Sequence, residues 1–528
     1  MSMRVIIGMG ALTFALMLCG PALAPGGAAL ASAVWGELEP GPHAVGFTAV
    51  EKYDYSRSFE AKKDYFGTPM PGERGRPVQV CIWYPATIAE SDLPMVYGEY
   101  AFVYPEDGRL YMFLGGLQDR EVGVLHFVFN NDRGAVIDLQ SEEMVAVRRA
   151  AVAPGRFPLI LYAPNFNSSF TENLILCEYL ASHGFVVAST HAYGPRALRS
   201  GQDPAAVEML ISDLGFVLAT MHEFDFVDHD RLGVMGGSAG ALAGLLFQME
   251  NLYVDALAGF NAAFLNSGAI EMAEENPRFN IRAASVPMLQ VYGGAQEGRD
   301  ASMLDSLEYS ERNALAFTEL PPLALTSYRM FLATVFVPNE TERRAYEAAC
   351  VYARNFFDRE LKGSESAAGF LAASPEDNGL DPAAVAFTHM GGRAVPPTEE
   401  QFTAILRERG VEEAVEIFER FRAEDPDLVL FQEYVCNFAG YGFLQRGQVQ
   451  EAVTVFKMNA ETYPASANTW DSLAEAYVAA GETERAAECY RRALEVLPDD
   501  AGLTDEIREV LRNNAEGFLE NPGGEEGN

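Results

Sequence analysis

The feature that most narrows the fold is a short apolar strand running straight into a glycine-rich turn and then a helix. Leu232-Gly233-Val234-Met235 leads into Gly236-Gly237-Ser238-Ala239-Gly240, and residues 241–249 continue at helical spacing. A chain can reverse from strand to helix so tightly only where side chains are missing at the crossing, and three glycines meet that need. The G-x-S-x-G spacing leaves one serine hydroxyl clear on the outside of the turn, at the C-terminal end of the strand. A phosphate-cradling turn would need the remainder of G-x-G-x-x-G, which is absent.

The same alternation extends in both directions. Residues 158–163 and 185–189 read as short apolar strands, with helical patterns at 171–183, capped by Gly184, and at 206–222. Further strand-like runs lie at 256–260, 288–292 and 314–320, and a helix at 341–361 ends at Gly363. Strands alternating with helices imply an α/β class, a mostly parallel sheet covered by helices on both faces. The preceding stretch, 41–150, reads as an N-terminal β-rich portion. Its clearest strand is Val78-Gln79-Val80-Cys81-Ile82-Trp83-Tyr84, which ends at Pro85; residues 122–129 read as another.

Residues 364–398, richer in Gly, Ala, Ser and Pro, read as a linker. Beyond them lies a repeat. Gly447, Ala452, Phe456 and Pro464 recur 34 residues later as Gly481, Ala486, Tyr490 and Pro498. A less regular copy has Ala414, Phe418 and Pro426, each 38 residues before its counterpart. Glycine between helices, a small residue where they touch and proline at the end resemble the tetratricopeptide repeat. This implies an all-α domain over 399–513 and docking of a protein partner. The tail, 514–528, is acidic and glycine-rich and reads as disordered.

Residues 1–33 read as a cleaved signal peptide. Arg4 precedes an apolar run over 5–18, and Ala31-Ser32-Ala33 is an A-x-A-like cleavage site. The expected location is periplasmic or secreted. A lipoprotein anchored through Cys19 fits less well, because Leu18 is bulky where a small residue is wanted. No later stretch reads as a membrane span. Export permits disulfides, but the remaining cysteines read better as buried small residues. They show no C-x-x-C pair or close histidine, so neither a metal nor another cofactor is expected. With 38 basic against 75 acidic residues the net charge is −37, which repels phosphate backbones and excludes nucleic acid as a partner.

Residues 41–363 resemble the α/β-hydrolase fold, nearest to bacterial platelet-activating-factor-acetylhydrolase-like and dienelactone-hydrolase-like proteins. The resemblance rests on Gly41-Pro42-His43-Ala44-Val45-Gly46-Phe47, Arg76-Pro77, Ile82-Trp83-Tyr84-Pro85-Ala86, Glu178 to Val187 and the Ser238 turn. It implies a serine hydrolase acting on a small ester or lipid-like substrate, with Ser238 as nucleophile. The oxyanion hole would be built from the amides of Ala239 and of Phe166, in the loop Pro164-Asn165-Phe166-Asn167. The sequence departs from the family where proton transfer is concerned. The family's acid position, closing the strand after the elbow helix, holds Asn261. The window for its histidine, 321–339, contains none. Of the seven histidines, only His389 follows Ser238. It restores the order Ser–acid–His if its segment folds back, with Asp300 or Glu297 as acid. His191 follows a strand at the edge that bears Ser238 and would line the pocket. His43, His126, His183, His222 and His229 read as structural. The alternative to an esterase is therefore a catalytically degenerate hydrolase that acts as a binding or scaffold protein through its repeats.

Overall fold

The computed structural model describes residues 33–59, 75–101, 123–194, 201–293, 300, 302–321, 323–335 and 339–522. The chain divides into two compact units, Met1–Arg393 and Ala394–Asn528.

The first unit is built on one sheet. Its strands are β1 (Ala44–Ser58), β2 (Gly75–Thr87), β3 (Val147–Arg148), β4 (Ala151–Val152), β5 (Phe157–Ala163), β6 (Val186–Ser189), β7 (Val227–Gly237), β8 (Val254–Phe260), β9 (Met288–Gly293), β10 (Arg312–Phe317) and β11 (Val385–Met390). They lie in the order β11-β10-β9-β8-β7-β5-β6-β2-β1-β3, with β4 on β2. β5 to β10 are mutually parallel, while β2 and β11 run antiparallel to their neighbours. The crossovers are helical: α1 (Leu174–Ser182) after β5, α2 (Pro204–Met221) after β6 and α3 (Ala239–Glu250) after β7, and a long helix, α4 (Glu340–Lys362), lies between β10 and β11. This is a mixed, mostly parallel α/β sheet. Both faces are covered, and β7 shows why its sequence is so apolar: Val234 joins one core cluster and Met235 the other.

Some segments differ from the sequence reading. Residues 364–393 are no linker. They form a helix, α5 (Glu365–Ala372), and the edge strand β11, which continues the sheet. Residues 123–128 are helical rather than extended. The tail begins later than residue 514, since a helix runs through Asp505–Glu520. One described helix, α2, is long and apolar enough to cross a membrane, against expectation. It covers the sheet, and its Asp213 is buried in a two-point ion pair with Arg76, at 2.8 and 2.7 Å. Arg76 also holds the carbonyls of Tyr193 and Gly194, so it fixes the chain leaving β6.

A second buried carboxylate ties the N-terminal portion to α1. Glu178 accepts from the Trp35 indole at 3.1 Å, the Tyr100 hydroxyl at 2.7 Å and the amides of Val145 and Ala146 at 3.2 and 3.1 Å. Burial pushes its carboxyl up, and the donors pull the other way.

The second unit is all-helical: α6 (Glu399–Glu408), α7 (Val411–Glu424), α8 (Glu433–Gln445), α9 (Val449–Thr462), α10 (Ala467–Ala479), α11 (Thr483–Val496) and α12 (Asp505–Glu520). Gly447 and Gly481 take left-handed φ values of 73° and 74° at equivalent turns. Ala452 and Ala486 are fully buried where helices meet. On α10, Asp471 is buried, and its Oδ1 finds no hydrogen-bond partner among the described residues. Desolvation, then the charge of Glu475 one turn on, push its carboxyl up to about 7.

Two predictions follow from these carboxyls. Glu178→Ala strands an indole N–H, a phenol and two amides, so it should cost about 3 kcal/mol in urea unfolding of the first unit. Asp471 has a folded pKa above its unfolded value near 3.8. Its contribution is therefore full below about pH 4 and is lost as pH rises through about 7. Asp471→Asn should flatten that part of the decline in the melting temperature of the second unit, measured from pH 4 to 8.

Candidate functional site

Ser238 sits between β7 and α3 with φ 48° and ψ −111°, a conformation a non-glycine residue holds only when its surroundings impose it. The surroundings are backbone. A Cβ on Gly240 would stand 2.0 Å from the Ala163 carbonyl oxygen, and one on Gly236 would stand 2.4 Å from Gly240. The Ser238 amide donates to the Phe260 carbonyl at 2.9 Å, and the Ser238 carbonyl accepts from Ala263 at 3.0 Å. The end of β8 thus holds the elbow in place. Asn167 and Asn261, following β5 and β8, share the left-handed region with φ 57° and 47°. The three strained residues gather at the ends of three adjacent strands.

The loop after β5 delivers the second half of the site. The amides of Phe166 and Ala239 both donate to one atom, Asn165 Oδ1, at 2.8 and 3.4 Å. Two N–H groups from different strand ends thus converge on one oxygen beside the Ser238 turn. The loop is anchored from beneath by Glu172. Its Oε1 accepts from the Asn165 amide at 2.8 Å and from the Tyr162 hydroxyl at 2.5 Å, and it lies where a Cβ on Gly237 would be only 2.7 Å away. Asn173 donates to the same Tyr162 hydroxyl at 3.0 Å, and Tyr346 donates to Asn173 at 3.3 Å. Nothing in the sequence sets Asn165 apart from the rest of its loop. Glu172 gives no sign in the sequence, since it stands between Thr171 and Asn173 in a polar helix start where a carboxylate is ordinary.

The expected base is not at this site. His389 lies on β11 opposite Asn313, and the register runs from Asn313 to Leu289, Ala258 and Met235. His389 is therefore four strands, about 19 Å, from β7 and about 10 Å short of Ser238 along the strand direction. Its exposed ring meets Asn313 Oδ1 at 3.1 Å and Glu311 at 3.6 Å instead. The acid proposed with it does other work: Asp300 accepts from the Ser302 amide at 2.9 Å at the start of a short helix, which holds its carboxyl below the usual range. Glu297 lies outside the described residues. Asn261 does close β8, and its side-chain oxygen accepts from Gly293 at 3.3 Å, at the end of β9.

His191 follows β6 at the edge that bears Ser238, two strands or about 10 Å from β7. Its ring packs 5.1 Å from Phe170, its Nε2 meets Gln79 Oε1 at 3.3 Å, and it lines a small cavity with Tyr162 and Pro164. The other histidines lie elsewhere. His222 and His229 stack at 4.6 Å before the apolar half of β7, and His43 stands 5.4 Å from Phe157 at the start of β5. His183 ends α1, where burial lowers it to about 4, and His126 is on the helix between β2 and β3.

Comparison with known proteins finds a tetratricopeptide-repeat family model matching residues 467–506. No curated protein matches the chain. Among solved structures, the chain is similar to a ferulic acid esterase from Streptomyces cinnamoneus at 21% identity, with a TM-score of 0.47. That match covers 66% of this chain and 96% of the esterase.

Because the whole site depends on the crossing at Gly240, Gly240→Ala should be severe. The added methyl meets backbone that cannot yield, so a loss of about 3 kcal/mol or failure to fold is expected in thermal unfolding.

Proposed function

We propose that this protein is an exported serine hydrolase-fold protein that accepts ester substrates at Ser238 and turns them over slowly. The reading is carried by the two amides of Phe166 and Ala239 converging on one oxygen beside the elbow. Ser238 Oγ would attack the ester carbonyl, and the resulting oxyanion would take the place now held by that oxygen. Collapse of that intermediate would break the ester C–O bond and release the alcohol with the serine proton. Water would then attack the acyl-enzyme to free the acid and restore the Ser238 hydroxyl. What keeps the rate low is proton transfer. No histidine follows in the 321–339 window, Asn261 cannot carry the charge that stabilises an imidazolium, and His389 lies across the sheet. An elbow and oxyanion hole without the rest of the triad supply about 10³–10⁴-fold over water. Residues 1–33 would direct export, with the mature chain starting near Val34. The repeat unit would dock a protein partner. The same observations on Asn261 and His389 favour a second reading, in which the hydrolase unit binds without turnover and the repeats carry the function.

A fluorophosphonate probe separates the two readings, since its P–F bond breaks as a Ser238 Oγ–P bond forms and fluoride leaves with the serine proton. Slow labelling of Ser238 is expected. Ser238→Ala should abolish labelling and any hydrolysis of activated esters, while its stability stays within about 1 kcal/mol of wild type. Hydrolysis should rise steadily with pH and show no bell near neutrality, and Asn261→Asp should not raise it, because a carboxylate has no imidazole to orient. Absence of labelling in the folded wild type would leave the binding reading.

A further inference from the structure

The oxygen between the two oxyanion-hole amides belongs to the protein. Asn165 Oδ1 stands where a substrate's carbonyl oxygen would have to sit, accepting from Phe166 at 2.8 Å and from Ala239 at 3.4 Å. We propose that Asn165 is a built-in plug of the oxyanion hole, displaced when substrate binds. This deepens the reading of Ser238 given above and rests on it for its catalytic consequence.

The backbone around Asn165 suits a side chain that swings while its frame stays still. The Asn165 amide is held by buried Glu172 at 2.8 Å, and its carbonyl accepts from Ser168 at 3.0 Å. Both anchors fix the main chain of the loop, so rotation about the Asn165 side-chain bonds empties the hole without moving the Phe166 N–H. The Ala239 N–H is the first amide of α3 and has no acceptor within its own helix. The Asn165 oxygen therefore satisfies a donor that would otherwise await a ligand. A neutral amide oxygen fills this site less strongly than a charged one, because hydrogen bonds to an anionic acceptor are roughly twice as strong. The plug thus competes with the neutral carbonyl of a bound ester more than with the oxyanion of the transition state. It weakens ground-state binding and favours substrates whose carbonyl builds charge readily.

Two measurements on the full chain test this. The first is hydrogen exchange at the Phe166 and Ala239 amides, read by NMR, which needs no catalysis. Asn165→Ala should raise both exchange rates at least tenfold, and Asn165→Asp, which keeps an acceptor in place, should not raise them. Equal rates in wild type and Asn165→Ala would overturn the plug. The second is the rate of fluorophosphonate labelling at Ser238. It should rise about tenfold in Asn165→Ala and fall in Asn165→Asp; where the wild type is labelled, a rate in Asn165→Ala equal to or below that of wild type would overturn the plug. Faster exchange with no labelling in any variant would support the plug and overturn the reading of Ser238 as a nucleophile. Asn165→Gly supplies the same comparison if the alanine variant fails to fold.

Discussion

The crossing of α3 over the end of β5 is the constraint from which the site follows. Gly240 lies so close to the Ala163 carbonyl that any side chain there would overlap it, and Gly236 closes the same turn from the strand side. That contact sets the end of β5 directly against the start of α3. It brings the Phe166 amide, on the loop after β5, to the same point as the Ala239 amide, on the first turn of α3. It also leaves room beneath the elbow for a buried carboxylate, since Gly237 has no side chain to exclude Glu172. A serine in strained conformation, two converging amides and an anchored loop are thus consequences of one close approach between backbones.

Features encoded by local pattern were legible in the sequence. The parallel strands announce themselves as short apolar runs because both of their faces are buried, and the elbow because only glycine permits the crossing. The repeat was legible because its turns and contact alanines recur at a fixed interval. The edge strand β11 was not. Its burial alternates poorly, with only Val385 fully buried, and it lies within a stretch whose composition suggests a linker. The misplacement of His389 has a related cause. Chain order Ser–acid–His does not reveal strand direction, and β11 runs antiparallel to β10. The chain enters β11 opposite Phe317, on the Ser238 edge, and reaches His389 opposite Asn313, at the other edge. In a parallel strand the same residue would have emerged near the elbow. Buried carboxylates such as Glu172 and Glu178 left almost no trace, because what makes them tolerable is a set of donors distant in sequence.

These anchors also show how a strongly acidic chain supports a compact core. Glu178 is satisfied by neutral donors alone, whereas Asp213 is matched by Arg76 with two parallel contacts. Removing one partner from either arrangement leaves a charge or a set of donors unpaired in the interior, which costs far more than the pairing itself contributes. Both arrangements tie segments far apart in the chain to the helices that cover the sheet. The buried polar groups therefore determine how the N-terminal portion is attached, while apolar burial supplies the general drive to fold.

The parts of the proposed site that are present and those that are missing divide by physical origin. The elbow and the oxyanion amides are products of close packing and would survive wherever the sheet and α3 are kept. A histidine base and its acid contribute only to proton transfer, and the fold does not need them. Asn261 illustrates the division. Its left-handed backbone and its contact with Gly293 are roles an amide fills as well as a carboxylate, so the strand ends remain in place although the charge is absent. The convergence of the Phe166 and Ala239 amides beside Ser238 is thus preserved by architecture, and on the proposed reading the rate would depend on whatever group takes the proton from Ser238.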